Sequence, residues 1–126
     1  MASPLGAPGC RPPSPIGDLG GAFPEVSGTA TEGELWGLLF AEPPYRVGDE
    51  VKIAWRMTGT GDLQLTAIAP DGSPTPLAWG PEAHTSSNYD RPGDEWGAGY
   101  RFTQAGCWNL HAARDDTTAD VWLIVS

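Results

Sequence analysis

The feature that most constrains the fold of this chain is a series of short apolar segments, separated by turns rich in Gly, Pro and Asp at intervals of roughly 8–15 residues. In the clearest segment, residues 50–57, every second side chain is apolar: Val51, Ile53, Trp55 and Met57. A repeat of two residues is typical of a strand with one buried face. No window of adequate length has the periodicity and end caps of a helix. The sequence therefore predicts an all-β fold.

The segments with strand character are 34–40, 50–57, 63–69, 77–79, 100–102, 107–113 and 119–125. The stretch 80–99 carries Pro, Gly and polar residues without alternation, and it is predicted to be the longest irregular segment. About seven short strands at this spacing are typical of an antiparallel sandwich of two sheets.

The N-terminal part of the chain has a different composition. Residues 1–24 contain six Pro and five Gly and show neither a helical nor an alternating apolar pattern. Because Pro fixes its own φ angle and offers no N–H to a sheet, this segment is predicted to be an extended arm or linker. We therefore divide the chain into an arm, 1–31, and a sandwich domain, 32–126.

Composition limits the size and the partners of the protein. Its 126 residues fit one domain, and 40% hydrophobic residues with six Trp suffice for a packed core. Acidic residues outnumber Lys and Arg by 16 to 7, for a formal net charge of -9. This charge argues against duplex nucleic acid or an anionic membrane surface as the main partner. The apolar stretches are far shorter than the roughly 20 residues of a spanning helix, so no membrane-spanning segment is expected.

Two cysteines, Cys10 and Cys107, lie 97 residues apart. If they pair, the bridge indicates an exported protein, because such bridges persist outside the cytosol. Residues 5–10 (LGAPGC) also resemble the end of a bacterial lipobox, in which case Cys10 is the site of a lipid anchor. The sequence leaves both alternatives open.

Two segments carry a family resemblance. Residues 100–112 (YRFTQAGCWNLHA) resemble the penultimate strand of bacterial extracellular immunoglobulin-like domains, and 48–55 (GDEVKIAW) are similar to the second strand of those domains. The resemblance implies an immunoglobulin-like sandwich in an exported, bacterial setting, and it brings no catalytic residues. An antibody-type domain has a Cys in the second strand, which this chain lacks.

Alternation within 107–113 assigns side chains to the two faces of that strand. With Trp108 and Leu110 directed inward, Cys107, Asn109 and His111 face outward. A bridge to Cys10 would then hold the arm across the outside of the sheet and cover a sheet edge that would otherwise invite association.

Metal sites and catalytic motifs find no support in the residue spacing. Cys107 and His111 lie about 13 Å apart along an extended strand, too far to share a copper ion. The acidic groups in 90–95 and 115–120 do not have the spacing of a calcium loop. No motif selects a pair of carboxylates or a nucleophile with its base. We therefore expect a protein without a cofactor that is not an enzyme.

Aromatic residues around the 80–99 stretch are the best functional indication. Exposed aromatic rings beside Asp and Asn are suited to binding sugars, since the rings stack and the polar groups bind hydroxyls. The candidate ligand-binding residues are Trp79, Asn88, Tyr89, Asp90 and Trp96. The alternative interpretation, which we favour, is that these aromatic side chains pack this stretch against the sandwich.

These observations favour a structural or adhesive domain at a bacterial cell surface. The first alternative is a carbohydrate-binding module that uses the aromatics of residues 79–100, with a surface polysaccharide as partner. The second is a filament subunit that self-associates by adding its arm to the next copy.

Overall fold

A computed structural model of the chain describes residues 10, 12–18, 23–84 and 89–126. Within these residues the fold is all-β and consists of two antiparallel sheets, which confirms the predicted fold class at this level. A helix with the length and apolar character needed to span a membrane is absent from the described ranges.

The strands in chain order are β1 (Ile16–Asp18), β2 (Pro24–Ser27), β3 (Thr29–Ala30), β4 (Leu35–Leu39), β5 (Glu50–Met57), β6 (Gln64–Ile68), β7 (Pro74–Thr75), β8 (Trp79–His84), β9 (Asp94–Arg101), β10 (Gly106–Ala113) and β11 (Thr118–Val125). Sheet I has the order β1-β2-β4-β5-β9-β8, and sheet II has the order β3-β11-β10-β6-β7. Neighbours in space are often distant in sequence, so both sheets depend on long-range pairing.

The core lies between the inner faces of the two sheets. Trp55 of β5 and Trp108 of β10 are completely buried, as the alternation predicts. The Trp55 Nε1–H donates a hydrogen bond to the hydroxyl of Tyr100 (3.0 Å), and the ring of Phe102 meets Trp108 edge-on at 5.2 Å. Burial also raises the pKa of Tyr100.

The prediction of an irregular stretch over 80–99 is wrong, because this range contains most of β8 and β9. The reason lies in the burial of β9, which is buried on both faces from Glu95 to Tyr100. A strand covered on both sides has no polar face and therefore no apolar–polar alternation to detect. Gly97 and Gly99 also make β9 harder to recognise in the sequence, because Gly is depleted in strands.

Residues 16–30, which the sequence assigns to the arm, contribute β1, β2 and β3. Val26 of β2 is completely buried in the core. Pro24 is the first residue of β2, a position at which a strand tolerates the missing N–H. Part of the Pro- and Gly-rich segment therefore belongs to the two sheets.

The candidate pairing of Cys10 with Cys107 is confirmed as a disulfide, with the Cα atoms 6.0 Å apart. Both cysteines are buried, on the outer side of β10. After Cys10 the chain passes along the edge of β11, where the Ser14 N–H donates to the Trp122 carbonyl and the Trp122 N–H donates to Ser14 Oγ (3.0 and 2.8 Å). The N-terminal segment thus satisfies backbone groups that would otherwise lie open at this edge.

Other segments cover the rest of that edge. At one end of β11, β3 pairs with Ala119 and Asp120. At the other end, Tyr45 forms a bridge to Val125, and the Val47 N–H donates to the carbonyl of Ser126 (3.0 Å). The edge of β11 is therefore covered at both ends and at its centre, which removes a template for pairing with another chain.

Candidate functional site

The predicted ligand-binding aromatic Trp79 lies across the outer face of β9. Its indole covers Gly99 so closely that a Cβ added there would come within 2.1 Å of Trp79 Nε1. The same indole approaches Gly97, over which the imidazole of His84 also lies. Because the two glycines have no side chain, Trp79 and His84 pack directly on the backbone of β9, and Trp79 is half-buried as a result.

The other predicted aromatics are also engaged in packing. Trp96 is 8% exposed and belongs to the core, with the guanidinium of Arg114 at 4.7 Å from its ring. Tyr89 is likewise 8% exposed, whereas Asp90 is exposed. Asn88 lies outside the described residues. Of the described aromatic side chains in this set, Trp96 and Tyr89 are buried and Trp79 is half-buried.

Tyr89 belongs to a segment, residues 89–93, that crosses the outer face of sheet I and that we call the strap. The strap is held to β2 through Glu25, a buried carboxylate that accepts hydrogen bonds from the Tyr89 hydroxyl (2.6 Å) and from Arg91 Nε (2.8 Å). Arg91 also pairs with the second oxygen of Glu25, and its guanidinium lies 5.1 Å from the ring of Trp36. A bidentate pair of this kind fixes geometry as well as charge.

The surroundings of Glu25 act on its pKa in opposite directions. Burial raises the pKa, but the hydrogen bonds from Arg91 and Tyr89 and the charge of Arg91 outweigh this effect, so the pKa lies below its ordinary value. In return, burial and the hydrogen bond to Glu25 raise the pKa of Tyr89. Glu25 is therefore the ionised acceptor in the attachment of the strap.

A prediction concerns the stability of this attachment in acid. Because the pKa of Glu25 is lowered in the folded state, its contribution is present above the ordinary value of 4.5 and is lost as the pH falls through the folded value. Glu25→Gln should lower the free energy of unfolding by about 1–3 kcal/mol at pH 7, and by less at pH 3. Urea unfolding of both proteins at the two pH values measures the difference. Asp71 and Asp116, whose pKa values are also lowered, are present in both proteins and cancel.

A second buried carboxylate, Glu95 of β9, connects β5 to β8. One of its oxygens lies 2.9 Å from His84 Nδ1, and the other lies 3.4 Å from Arg56 Nε. Arg56 also donates to the carbonyls of Tyr89 (3.1 Å) and Gly93 (2.6 Å) in the strap. Glu95 thus joins three strands of sheet I, and Arg56 in turn attaches the strap to β5.

The outer face of sheet II carries a different set of side chains. In register across β6, β10 and β11, one row consists of Ile68, Asn109 and Trp122, and the next consists of Thr66, His111 and Asp120. Apart from the exposed Thr66, each is half-buried, and all alternate with the buried residues of their strands. This face, which we call the β10–β11 face, thus combines an aromatic ring with polar groups.

Hydrogen bonds organise the polar groups of the β10–β11 face. Asp120 Oδ1 accepts from Asn109 Nδ2 (3.1 Å) and lies 2.8 Å from His111 Nδ1. One carboxylate oxygen thus receives both neighbours. In the described part of the chain, the second oxygen of Asp120, the amide oxygen of Asn109 and His111 Nε2 have no hydrogen-bond partner. The side chains of Asn109 and His111 are therefore oriented by Asp120.

A cleft of about 510 Å³ opens beside this face, between β6, β7 and the start of β8. Its lining residues are Leu65, Thr66, Pro74, Thr75, Pro76, Leu77 and Gly80. Thr66 belongs to both the cleft and the β10–β11 face, since it is in register with His111. The cleft is largely apolar and continues the face toward the edge of sheet II.

A smaller recess of about 350 Å³ lies at one end of the sandwich, beside Gly61, Asp62 and Asp115. Its cation, Arg114, is buried and donates to the carbonyls of Met57 (2.8 Å) and Gly61 (2.9 Å). Among the described residues, no group of three or more His, Cys, Asp or Glu is placed to hold a metal ion. Arg114 thus joins the end of β5 and the loop after it to the turn that follows β10, which indicates a structural role for this recess.

Comparison with known proteins identifies no relative: no family model matches the chain, and no curated protein or solved structure is significantly similar to it.

Proposed function

We propose that this protein is an exported, non-enzymatic domain of immunoglobulin-like type with a structural or adhesive role at a bacterial cell surface. The strand order supports the immunoglobulin-like assignment. In sheet I the neighbours β4-β5-β9-β8, and in sheet II the neighbours β11-β10-β6, follow the ABED and GFC orders of such domains. The strands before β4 and the short β7 are additions to this arrangement.

The observation that carries the proposal is the buried Cys10–Cys107 bridge. It joins the N-terminal segment to β10 across 97 residues, and a bridge of this kind persists in an oxidising compartment. The covered edge of β11 adds support, because a domain displayed outside the cell must resist unwanted strand pairing. The non-enzymatic assignment is supported by the two buried carboxylates: Glu25 holds the strap to β2, and Glu95 joins β9 to β5 and β8.

The test is an intact mass of the exported protein, isolated under non-reducing conditions and again after reduction and alkylation of thiols. The proposal expects a monomer two hydrogens lighter than the reduced chain, with both thiols released by the reductant. Recovery from the cell-surface fraction is the second expected result. Two free thiols, or recovery from the cytosol, would contradict the export of this domain. A diacylglycerol adduct on Cys10 would retain surface location but overturn the bridge as its support.

A further inference from the structure

We propose that the β10–β11 face binds a neutral polysaccharide, with Trp122 as the stacking platform and Asn109, His111 and Asp120 as hydrogen-bonding groups. This inference deepens the proposed adhesive role and rests on it, because it names the partner that the adhesive domain would hold. It uses other residues than the sugar site predicted at residues 79–100, because the β10–β11 face belongs to sheet II, whereas Trp79 and Trp96 belong to sheet I.

Trp122 has the properties that stacking requires. It is half-buried and stands on the outer side of β11, where it neighbours Asn109 in register. Its indole N–H donates to no acceptor among the described residues. Both backbone groups of Trp122 are bonded to Ser14, so the ring is carried on an anchored strand rather than on a loop. A ligand then meets a surface that needs little ordering.

The polar groups beside the ring fit hydroxyl groups. A sugar hydroxyl both donates and accepts, and the face presents acceptors on Asp120 and Asn109 as well as a second imidazole nitrogen on His111. Since Asp120 already orients both of its neighbours, binding a sugar does not require these side chains to be rearranged. An aromatic ring with a few convergent polar groups is the usual composition of such a site.

Charge selects a neutral ligand. Among the described residues, the outward-facing positions of β6, β10 and β11 include no Lys or Arg that could bind a phosphate, a sulfate or a uronic acid. The chain as a whole has a net charge of -9, which repels anions. The same charge opposes docking of a second copy, since two such surfaces repel each other. A neutral polysaccharide needs no cation on the face and is not repelled by the net charge.

The dimensions of the surface favour a chain rather than a single sugar. From β11 across β10 and β6 to β7 the distance is roughly 14 Å, from the usual spacing of neighbouring strands. The row that contains Thr66 leads from Asp120 directly to the cleft beside Pro74 and Leu77. An oligosaccharide laid across the strands would contact Trp122 at one end and the apolar cleft at the other.

The test is native electrophoresis of the full chain in gels that contain xylan, mannan or hydroxyethyl cellulose, with alginate as the anionic control. At least one neutral polysaccharide should retard the protein, and alginate should not. Trp122→Ala should weaken the retardation about tenfold or more, whereas Trp122→Phe should keep part of it. Ile124→Ala, on the same face and 51% exposed, is the matched control and should bind like the wild type. Unchanged far-ultraviolet circular dichroism establishes that each variant is folded.

Three results would overturn the site: no retardation by any of the neutral polysaccharides, retardation that Trp122→Ala leaves unchanged, or retardation by alginate alone. Concentration-dependent dimers that Ile124→Ala abolishes, without any effect of polysaccharide, would assign the face to a second copy instead. Failure here is distinguishable from failure of the proposed function. A protein recovered at the surface with its bridge intact would keep the structural role even if no polysaccharide binds.

Discussion

Replacing both cysteines, Cys10→Ser together with Cys107→Ser, should lower the free energy of unfolding by about 2–5 kcal/mol. The bridge closes a loop of 97 residues, and a cross-link over so long a loop strongly restricts the unfolded chain. It also fixes the segment that bonds to the edge of β11 at Trp122. Since domains of this size have only about 5–15 kcal/mol of stability, the loss is a large part of the total.

Urea unfolding at neutral pH measures this effect. The wild type in reducing agent should unfold at the midpoint of the double variant, and the variant itself should not respond to the reducing agent. Both cysteines are changed together so that no free thiol remains to form dimers. A loss below about 1 kcal/mol would show that the bridge adds little to a segment that its hydrogen bonds already hold.

Gly93→Ala should lower the free energy of unfolding by about 3–4 kcal/mol, from backbone strain and steric overlap together. Gly93 ends the strap with a φ of 97°, a region that L-residues rarely adopt. A Cβ there would lie 2.3 Å from the carbonyl oxygen of Met57, at the end of β5. Backbone cannot rotate away as a side chain can, so the strap or the strand must shift.

Gly48→Ala is a matched control for this prediction. Gly48 has the same φ of 97°, but a Cβ added there meets no atom within 4 Å. Its substitution should therefore cost only the backbone strain, about 1–2 kcal/mol. Thermal or urea unfolding of the two variants separates strain from overlap. Equal losses in both would mean that the strap moves away from β5 without cost, and that its contacts do not stabilise the sandwich.

The β10–β11 face depends both on the alternation of side chains within one strand and on the register between two strands. The outward direction of Asn109 and His111 follows from alternation along one strand, because neighbouring side chains on a strand must point to opposite faces. That Asp120 and Trp122 stand next to them depends on the register between β10 and β11. The short turn between these strands, closed by the hydrogen bond from the Arg114 N–H to the Thr117 carbonyl (2.9 Å), sets that register over a few residues.

In the 79–100 region, by contrast, the burial of the side chains depends on tertiary contacts. Nothing in the sequence around Trp96 distinguishes a core residue from an exposed one, since its neighbours Glu95 and Gly97 do not read as a buried strand. Trp79 and His84 from β8 cover Gly97, and Glu95 pairs with His84 and with Arg56 from β5. Whether these aromatic side chains are buried therefore depends on contacts between segments in which the sequence shows no strand pattern.

By itself, the sequence determined the all-β class and the inward direction of Trp55 and Trp108, because both depend on periodicity within a few consecutive residues. Only the tertiary structure decided that β9 is covered on both faces, that Glu25 meets Arg91, and that Cys10 reaches Cys107. These pairs lie 66 and 97 residues apart. Contacts at such separations depend on how the two sheets assemble, which no local pattern encodes.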